Sequence, residues 1–274
     1  MSAAEFNARI ERLMREAQAV TPATARRVLG ILEDARKEVV GRIAAAPSTA
    51  SASQLGQLQA AIDRTMREFA KLAAPEVQSG QAALFDFGRR LADEPLIAVN
   101  IQPPLVGLSR GVLVQAQGYS AELISGLASS ARRKVNQALQ RAVLGGQPIS
   151  ALIDQVGRAL GADAQPSIFR GVGARALAIT RTEVPRMLSA GTHARLEQMA
   201  GRAPGRIGKE WRHNPEPHPR VEHLALDGKV IAVDEEFRVP GSGERLRFPR
   251  DPRGSAAETV NCSCSLLPAI RAAA

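Results

Sequence analysis

Cysteine is nearly absent: the chain holds two, Cys262 and Cys264, and only 3% of its 274 residues are aromatic, with one tryptophan and one tyrosine. Two cysteines in so long a chain exclude a disulfide framework. Standing two residues apart, they would make a badly strained disulfide. The scarcity of aromatic rings removes the stacking platforms on which single strands of nucleic acid are held. No stretch approaches the ~18 uninterrupted apolar residues that a membrane span requires. The opening segment, MSAAEFNARIERLMREAQ, sets acids and bases at helical spacing without an apolar run, which is not the pattern of a secretory signal. The chain is therefore expected to be made in a cytosol, where thiols stay reduced.

Acidic residues are also in deficit. There are 27 against 36 basic ones, a net charge of +9, and arginine supplies 31 of the bases. Arginine grips phosphates and carboxylates through a fixed planar fork, so the balance favours acidic partners. The excess is thinly spread, +4 over residues 1–167 and +5 over 168–274. Weak, non-specific DNA contact is the most that this distribution predicts. Arg132-Arg133-Lys134, with Arg141 about two helical turns beyond, is the one local basic patch suited to DNA or an acidic partner; a solvated helix face is the plainer reading.

What the chain has in plenty is helical pattern. Residues 1–200 read as successive helices, and a small β-containing unit follows. The fold class predicted is a mainly α N-terminal region and then a small α+β C-terminal domain, with β-hairpins packed on a long helix. The expected divisions are 1–118, a helical docking region; 119–200, a helical segment; and 201–274, the β-rich part. Thr21 suits an N-cap with Pro22 at the first helical position. Leu55, Leu58, Ile62, Met66, Phe69 and Leu72 form a stripe expected to close at Pro75, with another helix over 76–92. Asp93 to Pro104 reads as a loop. Ser120 is expected to cap a helix ended by Gly145-Gly146, and Ser150 a shorter one to Leu160. Gly171 to Gly173 reads as a joint before a long helix to about Ala200, with Pro185 either in a first turn capped by Thr182 or at a kink.

Past Gly201 the apolar runs shorten and become β-branched. Glu210-Trp211-Arg212, Leu246-Arg247-Phe248 and Thr259 to Leu267 are strand candidates. Leu224–Leu226 and Lys229–Val233 flank Asp227-Gly228, a pairing that predicts a hairpin with a type I′ turn. Trp211 is the natural core anchor. A unit of this size wants a staple such as a metal or a docking contact.

Three of the four histidines, His213, His218 and His223, share this region with both cysteines. Two thiolates and two imidazoles suit tetrahedral zinc, held by Cys262, Cys264, His223 and either His218 or His213, in a structural role. Alternatively, Arg220 and His223 bond the loop bearing Asp251 and Asn261, whose side chains satisfy nearby backbone amides, and so tie the hairpin to the final strand. Arg181, Thr182 and Glu183 suit a polar knot at the head of the long helix. A catalytic alternative makes Glu183 a general base beside His223, in a metal-dependent nuclease or DNA-processing factor that also uses His213 and His218.

The motifs stand in a recognisable order: AITRTEV from Ala178, KEW from Lys209, RVEHLALDGKVI from Arg220, and LRFPRDPRGSAAETVNCSC from Leu246. In that order they resemble the phage Mu F-like head-morphogenesis family of minor head proteins. Thr180 stands in the Ala place of the family's Ala-Arg-Thr-Glu signature. Ser263 replaces the usual arginine between the cysteines, and Pro185 falls where the family more often continues a helix. The resemblance implies a virion component present in few copies in the phage head, made in a bacterial cytoplasm and located near the portal. Its implied partners are the portal, scaffold or major capsid protein, and its implied work is procapsid assembly, DNA packaging or ejection, without enzymatic activity. Some members carry toxin or nuclease domains; with Ala274 six residues after Pro268, no such domain is expected here.

Overall fold

The computed structural model describes residues 3–47, 51–148, 152 and 168–271. Five helices come first: α1 Ala3–Gln18, α2 Val20–Ala44, α3 Ala52–Ile97, α4 Gly111–Leu144 and α5 Ile168–Ala200. Then follow β1 Ile207–Arg212, α6 Val221–Leu224, β2 Val230–Ala232, β3 Phe237–Arg238, β4 Arg245–Leu246, α7 Ala256–Thr259 and β5 Ser265–Ile270. The mainly α, then α+β, class read from the sequence is the class observed. Among the described residues no helix is long and apolar enough to cross a membrane.

Helix boundaries depart from the sequence reading chiefly at prolines. The α2 helix starts at Val20, and the Ala23 amide already donates to the Ala19 carbonyl at 3.3 Å. Pro22 thus lies inside the first turn, where its missing N–H has no intrahelical partner to lose, and Thr21 is not the cap. Pro75 does not close α3. Buried Ala73 and Val77 flank it, so the apolar stripe runs straight through, while Leu72 turns to solvent. Asp93 to Ile97, expected in a loop, completes that helix.

Ser120 is buried within α4 and is not its cap; the Ser109 hydroxyl accepts from the Gly111 amide at 3.3 Å where the helix begins. The predicted stop is where the sequence places it. Gly146 takes φ +64°, and Gln147 donates back to Ala142 at 2.9 Å, as a helix-closing glycine allows. The helix expected from Ser150 to Leu160 lies outside the described residues apart from Leu152. Gly171 and Gly173 are helical residues of α5, which carries Thr182 and Pro185 in its interior.

The hairpin is re-paired. Residues 221–224 are helical, and β2 pairs antiparallel not with them but with β1, Lys209 opposite Ile231. A type I′ turn needs positive φ at both central residues; Gly228 has it at +73°, and Asp227 does not. The other edge of β1 takes β5, Trp211 opposite Leu266, giving an antiparallel sheet in the order β2–β1–β5. A two-stranded ribbon, β3–β4, stands apart from it in pairing.

The residues fall into two compact units. One comprises 24–78 and 118–179; the other comprises 1–23, 79–117 and 180–274. The first is helical, its core built from Val28, Leu32, Val39 and Ile43, from Ile62, Met66 and Phe69, and from Ile124, Leu127, Val135 and Leu139, all spaced for one helix face. In the second, the later turns of α3 and α5 touch backbone to backbone. A Cβ on Gly88 would meet the Leu188 carbonyl oxygen at 2.4 Å, and one on Gly191 would meet that of Phe85 at 2.6 Å. The Thr192 hydroxyl donates to the Gly88 carbonyl at 3.2 Å across the same seam. Arg195 is buried nearby, its Nε 2.6 Å from Asp93, with further bonds to the Pro104 and Val106 carbonyls.

Gly191→Ala should therefore force the seam apart and destabilise the protein by about 1–3 kcal/mol. Urea denaturation should show the lower midpoint, whereas Gly126→Ala, with open space around it, should not lower it.

Candidate functional site

The α5 helix carries the first row of the site. Thr182 accepts from the Asn261 amide through Oγ1 at 3.0 Å, and Asn261 itself takes φ +55°, a left-handed conformation that asparagine tolerates. The next residue, Glu183, forms a buried ion pair with Arg186 one turn on, whose Nε donates to the Arg250 carbonyl at 2.9 Å. Burial raises the Glu183 pKa against the pull of that guanidinium. Arg250 is also left-handed, at φ +65°. Its guanidinium donates to the carbonyls of Cys262 and Pro185, so one buried cation holds the long helix to the cysteine segment.

Behind that clamp lies a histidine with three partners. His223 Nε2 sits 2.9 Å from a carboxylate oxygen of Glu258, and Nδ1 faces Cys262 Sγ at 3.4 Å and Cys264 Sγ at 3.8 Å. Exposures are 2% for His223, 2% for Cys262 and 1% for Cys264. The Trp211 ring meets the imidazole edge-on, centroids 5.2 Å apart. Burial opposes charge on His223, but the bonds to Cys262 and Glu258 outweigh it and its pKa rises. Hydrogen bonding with Cys264, then with His223, drives the Cys262 thiol well below its ordinary value. Its neighbour is driven up by the same bond and by burial.

Each of the remaining motif residues bonds at least one backbone group. Asp251 is fully buried; it accepts from the Arg247 amide and guanidinium at 2.9 Å and from the Arg253 amide at 3.1 Å. Burial would raise its pKa, yet these bonds hold it well below the usual carboxylate range. Asp227 accepts from the His213 amide at 2.7 Å beside Gly228. Arg220 donates to the Val260 carbonyl at 2.7 Å. Ser263, standing in the arginine place, donates to the Asn214 carbonyl at 2.9 Å and so anchors the proline-rich stretch after β1.

Not all the candidates converge. Arg181 is exposed on the wall of a cavity of about 1110 Å³, also lined by Met14, Leu84, Pro185, His218 and Cys262. His218 is exposed there and stands outside the histidine–cysteine group; His213 is half-buried, 3.9 Å from Glu216. Glu183 is bonded to Arg186, while the carboxylate on His223 is that of Glu258. In the helical unit Arg132 is tied to Asp63 at 3.1 Å, leaving Arg133, Lys134 and Arg141 exposed. Sequence reading missed Arg186, Arg250 and Glu258. A Pro-Arg-Asp-Pro loop gives no sign that its arginine points inward; only the adjacent Asp251 hints at a tight turn.

Comparison with known proteins follows the same ground. Residues 133–267 match the family described as Phage Mu protein F like protein. An uncharacterized protein of Bacillus subtilis strain 168, YqbB, is 45% identical over 91 residues, 32% of this chain and 30% of that one. A protein of Enterococcus faecalis named NAD(+)--arginine ADP-ribosyltransferase EFV is 37% identical over 98 residues, 35% of this chain and 19% of that one. The chain thus spans less than a third of either relative's length. No solved structure matches it.

Asp251→Asn should destabilise the protein by about 1.5–3 kcal/mol, because a fully buried carboxylate loses its charge-assisted bonds to the partly exposed Arg247 and Arg253. The folded-state pKa lies below the unfolded value of 3.8, so the carboxylate's contribution is complete above that pH and is lost as the pH falls beneath it. Thermal melts from pH 7 downward should show this acid-sensitive component in the natural chain and its absence in the variant.

Proposed function

Residues 133–267 belong to the family of phage Mu protein F like proteins, a phage head-morphogenesis family, and on that footing we propose that the protein is a minor head protein. It acts in procapsid assembly as a non-enzymatic component associated with the portal, takes its place in the virion head, and contributes to DNA packaging or ejection. The observation that carries this reading is the use to which the motif residues are put. Thr182, Arg220, Asp227 and Asp251 all engage backbone groups, and Glu183 neutralises Arg186. Such groups shape and hold a scaffold; they are not free to move protons on a substrate.

Contact with other virion parts has material to draw on. Leu105 and Val106, adjacent in the chain, are exposed at 102% and 69%. Side chains of this kind at a surface suit burial against another chain. Exposed Arg133, Lys134 and Arg141 suit a secondary, salt-sensitive contact with DNA. The nuclease reading is weaker, because the histidines and Glu183 are not gathered around one point. The transferase activity in the name of the Enterococcus relative is not carried over, since the match covers 19% of that protein.

Quantitative mass spectrometry of purified particles should find the chain at few copies per portal, and immobilised portal protein should retain it. Leu105→Asp with Val106→Asp should lower incorporation without moving the melting temperature. Absence from particles, together with nuclease turnover that His223→Ala abolishes in a folded protein, would overturn the proposal.

A further inference from the structure

We propose that His223, Cys262 and Cys264 bind zinc through three protein ligands, with Glu258 as the residue that positions the imidazole. The geometry comes first. Tetrahedral zinc with bonds of about 2.0–2.1 Å to nitrogen and about 2.3 Å to sulfur places N and S roughly 3.6 Å apart. The two observed separations, 3.4 and 3.8 Å, straddle that value. The three donor atoms lie within 4.8 Å of one another, and no other such group of histidine, cysteine or acidic side chains occurs among the described residues.

The imidazole is presented the right way round. Glu258 engages Nε2 at 2.9 Å; with the ring proton on that nitrogen, the Nδ1 lone pair faces both sulfurs. A carboxylate behind a ligating histidine fixes tautomer and orientation and raises its basicity. The cysteine segment is equally well held. Arg250 grips the Cys262 carbonyl, Thr182 grips the Asn261 amide, and Ser263 is bonded to Asn214. Little rearrangement is needed for the sulfurs to close on an ion.

Charge and softness select the metal. Two thiolates neutralise a divalent cation in a dry setting, with the neutral imidazole completing the set. Magnesium and calcium require oxygen ligands, and a disulfide is disfavoured by the one-residue spacing. Both cysteines are free. The fourth coordination position differs from the sequence expectation. His218 is not in the group but lines the cavity that Cys262 also lines, so the remaining position is left to water on the cavity side. Bound zinc would pin α6 to the head of β5 while keeping one exchangeable site.

The test uses the full chain purified under reducing conditions. Elemental analysis should give one zinc per chain, and cobalt replacement should give intense d–d bands with thiolate-to-metal charge transfer, the spectrum of a tetrahedral sulfur-bearing site. Cys262→Ser and Cys264→Ser should each lose the metal. Glu258→Gln should keep the stoichiometry while weakening affinity by about 10- to 100-fold, and His218→Ala should leave it unchanged. Should the cysteine variants fail to fold, two measurements on the natural chain decide: the cobalt spectrum, and protection of both thiols from alkylation by added zinc. Less than a tenth of an equivalent of metal, an octahedral cobalt spectrum, or alkylation indifferent to zinc would overturn the proposal.

Discussion

The buried guanidinium of Arg250 is the interaction on which the C-terminal part of the molecule turns. Arginine keeps its charge in any protein setting, so burying it is costly unless every direction is answered. Here the two terminal nitrogens are answered by the carbonyls of Cys262 and Pro185, Nε is buried without a hydrogen-bond partner, and the residue's own carbonyl receives Arg186, itself neutralised by Glu183. One side chain thereby joins an interior turn of α5 to the segment entering β5. Arg250 takes a left-handed backbone, and both its carbonyl and its guanidinium bond residues of α5.

The rest of the site inherits its order from that link. With the Cys262 carbonyl held and the Asn261 amide held by Thr182, the two sulfurs are directed to His223, which Glu258 anchors from behind. The same economy recurs at Asp251, whose carboxylate gathers Arg247 and Arg253 into one turn. A three-residue edge strand and a two-residue ribbon carry few ladder hydrogen bonds of their own. Polar links between distant segments, more than strand length, hold these short elements in register. The polar motif residues of this region are, in this light, its fastenings.

Parts of this arrangement were legible in the sequence. The proximity of His223 to both cysteines followed from residue type, and Gly145-Gly146 ended a helix as glycines do. Strand β1 was visible around Trp211, but its partner was not. Asp227-Gly228 signalled a turn correctly, yet whether that turn joins two strands or a helix and a strand depends on what β1 needs at its edge. Prolines misled for a different reason. Pro75 and Pro95, both inside α3, each cost that helix one hydrogen bond, and the buried neighbours of Pro75 make that loss tolerable, which no local pattern reveals. Arg250 and Arg186 were invisible because an arginine in a basic chain reads as surface until its partners are known. Glu258, in an Ala-Ala-Glu-Thr run, carried no signal at all.

Amide hydrogen exchange on Arg250→Lys tests the dependence most directly, since lysine keeps the charge but cannot span two carbonyls with a fixed fork. The interior of α5 around Thr182 to Met187 and the segment from Asn261 to Leu266 should lose protection together. The helical unit, followed at Ile124 to Leu139, should keep its own. Unchanged protection at both segments, or loss confined to the loop around residue 250, would contradict the account.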